Sequence, residues 1–160
     1  MTGELFKYSV SSDTQYDSHL SNEELDLKNI IENSLISFYK EFNSKGIDPQ
    51  TEFPSGKVII NSNRKTLMRI FDNVFSNVAK YATSLSVKLT SDGTVTVAND
   101  APDLTPVQVS KLFDKYYTVT DGTDSTGLGL SIAKDLVGRM DGNISASLNG
   151  GILTITIRFK

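Results

Sequence analysis

Between Asn63 and Ala82 the apolar residues Leu67, Ile70, Phe71, Val74, Phe75 and Val78 recur at helical spacing, and directly afterwards Leu85, Val87 and Leu89 alternate with polar residues. The first pattern puts side chains on one stripe of a helix, and the second puts them on one face of a strand. A helix over about 63–82 must therefore bury a stripe, and the strand that follows must bury a face. The change of period restricts the chain to folds in which helices pack on a sheet.

The other segments extend this frame. With Asp26 as N-cap, Leu27, Ile30, Ile31, Leu35, Phe38 and Phe42 keep helical spacing until Lys45-Gly46 supplies a stop. Residues 47–53 and 57–61 read as short strands around the turn cluster Pro54-Ser55-Gly56, and Asp92-Gly93 turns a hairpin onto Val95 and Val97. A third helix is predicted over Val107 to Tyr116 and a fourth from near Gly127 to Asp141-Gly142. Two strands, 144–148 and 152–159, close the chain around Asn149-Gly150. Helices interspersed with mostly hairpin-connected strands predict an α+β two-layer sandwich, a mixed and mainly antiparallel sheet covered by helices on one face. Residues 1–24 show no sustained period and read as a helix end and linker, leaving 25–160 as the domain proper.

A length of 160 residues suits one domain with a substantial core. A net charge of −3 with dispersed lysines and arginines argues against a nucleic-acid footprint, so any phosphate bound is small. The chain has no cysteine, which excludes disulfides, thiolate metal sites and cysteine nucleophiles and fits a reducing compartment. No stretch approaches the ~20 apolar residues that cross a bilayer, and the start carries no signal pattern. The expectation is a cytoplasmic location without direct membrane contact, and the cytoplasmic domain of a membrane-anchored receptor would read the same way.

Two clusters could carry chemistry. The helix over 63–82 bears Asn73, Asn77 and Lys80 at spacings of four and three, on one face and at the margin of the apolar stripe. An amide oxygen suits a hard cation such as magnesium, which bridges protein to nucleotide phosphates, and a lysine nearby neutralises phosphate charge. Gly127 and Gly129 stand at the start of the fourth helix, where free N–H groups and the helix dipole favour an anion and missing side chains permit close approach. Each cluster alone also has an ordinary explanation, asparagines capping backbone or facing water and glycines forming a turn. No Gly-Lys-Thr or Gly-Lys-Ser follows the glycines, so this is not a Walker loop.

Taken in order, the segments resemble the histidine-kinase branch of the ATPase superfamily that also includes gyrase and mismatch-repair proteins, over roughly residues 26 to 159. Residues 69–81 (RIFDNVFSNVAKY) look like the N box of that family, Leu112 to Tyr117 like its F box, and Ser125 to Ile132 like its G2 box. The resemblance implies a Bergerat-type ATP-binding fold and a catalytic domain of a sensor histidine kinase that takes ATP with magnesium. By it, Asn77 is the principal magnesium ligand, assisted by Asn73. Lys80 approaches phosphate, Tyr81 lines the adenine pocket, and Thr126, Gly127, Leu128, Gly129 and Leu130 wrap the phosphates and anchor a lid.

The chain also departs from the pattern. Where the family's G1 box has Asp-x-Gly-x-Gly, this sequence runs Asn99-Asp100-Ala101-Pro102-Asp103-Leu104, which puts Asn99 at the aspartate position and removes both glycines. Asp100 becomes the acid only if the register slips by one. The lid between Tyr117 and Gly127 is short and holds Asp121 and Asp124 but no lysine or arginine. His19 is the only histidine, and Tyr16-Asp17-Ser18-His19-Leu20-Ser21 does not look like a phosphoacceptor box, which marks it as a surface residue. The implied partners are then a histidine-bearing dimerisation domain outside this sequence and a downstream response regulator. Two other readings stay open: a non-catalytic nucleotide-sensing or docking module, and a serine kinase acting on an anti-sigma antagonist.

Overall fold

The computed structural model describes residues 22–115 and 129–159. Strand β1 (Glu23–Asp26) leads into α1 (Leu27–Ser37) and α2 (Tyr39–Ser44), followed by β2 (Gln50–Glu52), β3 (Ile59–Ser62) and the long helix α3 (Arg64–Tyr81). Then come β4 (Ser86–Leu89), β5 (Thr94–Asp100), α4 (Pro106–Ser110), α5 (Gly129–Arg139), β6 (Asn143–Asn149) and β7 (Ile152–Arg158). The main sheet has the order β2-β4-β5-β7-β6, with β2 parallel to β4 and every other pair antiparallel. β1 and β3 form a separate antiparallel pair. This is the expected α+β arrangement.

The alternation read in the sequence decides which sheet face is buried. Val87, Leu89, Val95, Val97, Leu153, Ile155 and Ile157 point inward and are at most 3% exposed. Against them lie Leu67, Ile70, Phe71, Val74 and Phe75 of α3, all at 0%, with Phe71 stacked on Phe75 at 6.1 Å. α5 adds Ala133, Leu136 and Val137. Burying such side chains contributes about 1.5–3 kcal/mol each, so α3 is held as the central rod of the helical layer. Helix α1 is fastened to α3 by a polar tie, in which the buried Ser34 hydroxyl donates to Asp72 Oδ1 at 2.6 Å.

Several boundaries differ from the sequence reading. The first helix bends at Phe38, whose N–H bonds Leu35 carbonyl in a tighter turn at 3.1 Å, while the Ser37 hydroxyl donates to Ser34 carbonyl at 2.7 Å. Such back-bonding by serine bends helices, and here it lets Phe42 reach the core at 1% exposure. Gly46, at φ +72°, then ends α2 with Gly46 N–H on Asn43 carbonyl and Ile47 N–H on Phe42 carbonyl, the paired bonds of a Schellman stop. Glu23 and Glu24, assigned to a linker from the sequence, instead pair with Ser62 and Asn61. The third helix covers Pro106–Ser110 and gives way to turns over 111–115.

Candidate functional site

Helix α3 sets the position of most candidate residues. Asn63 caps its start by accepting from Thr66 N–H at 3.1 Å, and Ala82 ends it in extended conformation. With Leu67, Phe71, Val74 and Val78 turned into the core, Asn73, Asn77 and Tyr81 fall at its half-buried flank and Lys80 is exposed. The face predicted from their spacing therefore exists. Asn73 Nδ2 and the Tyr81 hydroxyl are buried and have no hydrogen-bond partner. The Lys80 carbonyl accepts from Lys45 Nζ at 2.9 Å, which ties the stop of α2 to the end of α3.

Asn99 comes to this region from β5. The strand alternates strictly, so Val95, Val97 and Asn99 share the inner face and Thr96, Ala98 and Asp100 the outer one. Asn99 is 6% exposed among apolar neighbours in the register, opposite Leu153 on β7. Its Nδ2 donates to the Asp100 carbonyl at 2.9 Å, while its Oδ1 is buried with no partner. An unpaired buried acceptor costs about 1–3 kcal/mol, so this atom is open to a donor.

Asp100 has another task. Thr83 and Ser84 N–H groups donate to its Oδ1 at 2.8 and 2.9 Å, and their hydroxyls donate to the same carboxylate at 2.5 and 3.1 Å. Its own N–H donates to Ser84 Oγ at 3.2 Å. Burial pushes the Asp100 carboxyl up, but the bonds from Thr83 and Ser84 outweigh it and hold the group at about 2. The carboxylate is consumed by the loop that follows α3, and Asn99 is the residue of the pair on the inner face. Beyond it, Ala101 N–H donates to Gly151 carbonyl at 2.7 Å, and Leu104 N–H to Ala101 carbonyl at 3.1 Å. A turn anchored to the β6–β7 hairpin thus stands where the glycines of a G1 box would be.

The glycine segment is described only from Gly129. Thr126, Gly127 and Leu128 lie outside the described residues, as do His19, Asp121, Asp124 and the end of the expected F box. Gly129 begins α5 and Leu130 is buried at 7%. A Cβ at Gly129 would have the Asn73 carbonyl oxygen as its nearest atom, at 3.9 Å. The start of α5 is thereby placed beside the first asparagine of α3, and the clamp at Asp100 places Asn99 beside the loop after Tyr81. From Asn73 to Tyr81 the helix rises ~12 Å. Among the described residues no group of three or more histidine, cysteine, aspartate or glutamate side chains could hold a metal ion.

A groove of about 690 Å³ lined by Ile36, Tyr39, Phe42, Ile47 and Phe53 among others lies between α1, α2 and β2 and holds none of these residues. The signal that the sequence reading missed was Thr83-Ser84, two hydroxyl residues just past a helix end, which accept no role from periodicity but are apt donors to a carboxylate.

Comparison with known proteins gives a consistent result. A family model described as histidine kinase-, DNA gyrase B-, and HSP90-like ATPase matches residues 62–160. The signal transduction histidine-protein kinase BaeS of Escherichia coli (strain K12) is 31% identical over 146 residues, a match that covers 83% of this chain and 31% of BaeS. The heme sensor protein HssS of Staphylococcus saprophyticus is 30% identical over 111 residues, covering 64% of this chain and 24% of HssS. The chain thus spans less than a third of the length of these relatives. Among solved structures, the Acinetobacter baumannii histidine kinase AdeS superposes with a TM-score of 0.77 at 20% identity, covering 99% of this chain and 76% of that one. The catalytic domain of histidine kinase ThkA gives 0.75 at 20% identity, covering 86% and 96%. At that identity the likeness speaks to fold.

Proposed function

Because the chain belongs to the histidine kinase-, DNA gyrase B- and HSP90-like ATPase family, we propose that it is the ATP-binding catalytic domain of a sensor histidine kinase. In this reading it presents the γ-phosphate of ATP to a histidine on a separate dimerisation domain, and a response regulator receives the phosphate next. It acts on the cytoplasmic side of a membrane-anchored receptor. The supporting observation is the set of buried polar atoms without protein partners, Asn73 Nδ2, the Tyr81 hydroxyl and Asn99 Oδ1, on the flank of α3 and the inner face of β5. Three such atoms together are costly unless a polar ligand meets them.

Each residue then has a role set by its chemistry. Asn99 Oδ1 accepts from the exocyclic amine of adenine, and Tyr81 borders the base with its hydroxyl turned to a polar atom of the nucleotide or its water. Asn73 Nδ2 is a donor and suits a phosphate oxygen, while the exposed Lys80 brings positive charge to the same end. Gly129 and Leu130 offer backbone N–H groups to the phosphates at the start of α5, and the resemblance assigns Thr126, Gly127 and Leu128, outside the described residues, to the same role. Asn77 offers a half-buried amide oxygen of the kind magnesium takes, and Asn73 supports it; the ion neutralises phosphate charge when bound. Phosphoryl transfer depends chiefly on positioning and electrostatic stabilisation, so no nucleophile is required within this domain.

Labelling of the intact protein with ATP carrying a labelled γ-phosphate tests the proposal. Acid-labile, base-stable protein label that disappears in Asn77→Ala is expected. Acid-stable label would assign the phosphate to a serine instead, and nucleotide binding without any label would make the domain a sensor.

A further inference from the structure

Asp100 faces away from Asn99 across β5, yet its bonds govern what Asn99 can offer. The clamp from Thr83 and Ser84 fixes the last residue of β5 against the loop after α3, and together with Ala101 N–H on the Gly151 carbonyl at 2.7 Å it holds the peptide that follows Asp100. The carbonyl of that peptide accepts from Asn99 Nδ2 at 2.9 Å. An Asn99 amide turned the other way would set two oxygens at this separation with no proton between them. Nδ2 is therefore committed, and Oδ1 is left as the buried open acceptor. A carboxylate at position 99 would accept in either orientation, whereas an amide presents a donor or an acceptor according to its sense. A chain with asparagine here needs a second residue to choose.

We propose that Asp100 is a positioning residue that fixes the sense of the Asn99 amide and thereby makes the pocket select a base with an N–H donor, such as adenine, over one with a carbonyl, such as guanine. The inference rests on the nucleotide-binding reading given above. Tying a loop to a strand also stabilises the domain regardless of nucleotide, but that effect weakens both bases alike, so the ratio of affinities separates the two roles.

The test is titration calorimetry with magnesium and non-hydrolysable analogues of ATP and GTP, alongside thermal melting. It compares the wild type with Asp100→Ala, Asp100→Asn and the double variant Thr83→Val/Ser84→Ala. The wild type is expected to prefer the adenine nucleotide by ~10- to 100-fold, the worth of one buried hydrogen-bond mismatch. Asp100→Ala, which removes the acceptor of all four bonds, is expected to cut that preference by about tenfold, with gain for guanine as well as loss for adenine, and the double variant, which loses the two hydroxyl bonds alone, by about three- to fivefold. Asp100→Asn keeps Oδ1 for the two backbone N–H donors and the Ser84 hydroxyl and offers Nδ2 to Thr83 Oγ1, so all four contacts persist and the ratio should hold within about twofold. Should Asp100→Ala fail to fold, the double variant decides, because it retains both backbone contacts. A wild type without base preference, or an unchanged ratio with both nucleotides weakened equally, overturns the proposal and leaves Asp100 a structural tie. A wild type that binds neither nucleotide overturns the nucleotide reading itself.

Discussion

Replacing Gly129 by alanine should separate nucleotide binding from folding in one step. Gly129 opens α5, its φ lies outside the left-handed region, and an added Cβ would meet only the Asn73 carbonyl oxygen at 3.9 Å among its neighbours. That distance is ordinary van der Waals contact, so the described protein exerts no steric demand for glycine. Alanine also loses less backbone entropy on folding, which favours it by ~0.5–1 kcal/mol within a helix and by the lower figure in its first turn. The melting temperature of Gly129→Ala should then be unchanged or raised by about 1–3 °C. If the glycine instead serves close approach of phosphate to the N–H groups of α5, a methyl group there keeps the anion at a distance. A lost charge-assisted bond is worth about 1.5–3 kcal/mol, or roughly 10- to 150-fold in affinity. Calorimetric melting and ATP-analogue titration on the same preparation give both numbers. A variant destabilised by more than about 1 kcal/mol would refute the packing argument, and a stable variant with unchanged affinity would remove the glycine from the phosphate site.

Other outcomes follow from the same geometry. Asn99→Ala removes the buried acceptor and should weaken adenine nucleotide binding by about 10- to 100-fold; unchanged binding in titrations would place the base elsewhere. The Asp100 carboxyl is held at about 2 against an ordinary 3.8, so its clamp contributes stability that is fully present above pH ~4 and lost as pH falls toward 2. Denaturant melts of the wild type should show that acid loss between pH 4 and 2, and Asp100→Asn should lack this component. Phe71→Ala should cost about 3–5 kcal/mol in chemical denaturation, because the ring is fully buried between Phe75 and Phe159; a cost under 1 kcal/mol would contradict the packing of α3 on the sheet.

Much of this arrangement could be read from the residues. The stripe on α3 gave its limits to within a residue, because Asn63 offers a cap at one end and the alternation beginning at Leu85 forbids helix beyond the other. The β6–β7 hairpin was equally plain: Gly150 and Gly151 take φ of +58° and +77°, values that glycine adopts at little cost. What escaped the pattern depends on partners distant in sequence. Glu23-Glu24-Leu25-Asp26 has no sustained strand signal and extends only because β3 lies beside it. The bend at Phe38 follows from serine hydroxyls competing for helix carbonyls, which periodicity does not register. Which of Asn99 and Asp100 turns to the inner face was ambiguous in sequence and follows from the β5 alternation and the Thr83-Ser84 loop. Of the glycine segment, Gly129 and Leu130 have described positions and Thr126, Gly127 and Leu128 do not.

The most direct test of the account is titration calorimetry of the wild-type domain with a non-hydrolysable ATP analogue, with and without magnesium, repeated on Asn77→Ala. Saturable binding at submillimolar to millimolar nucleotide, strengthened by magnesium in the wild type and indifferent to it in Asn77→Ala, is the predicted result. No heat of binding at millimolar nucleotide would contradict the claim that the orphaned polar atoms along α3 and β5 form an ATP site.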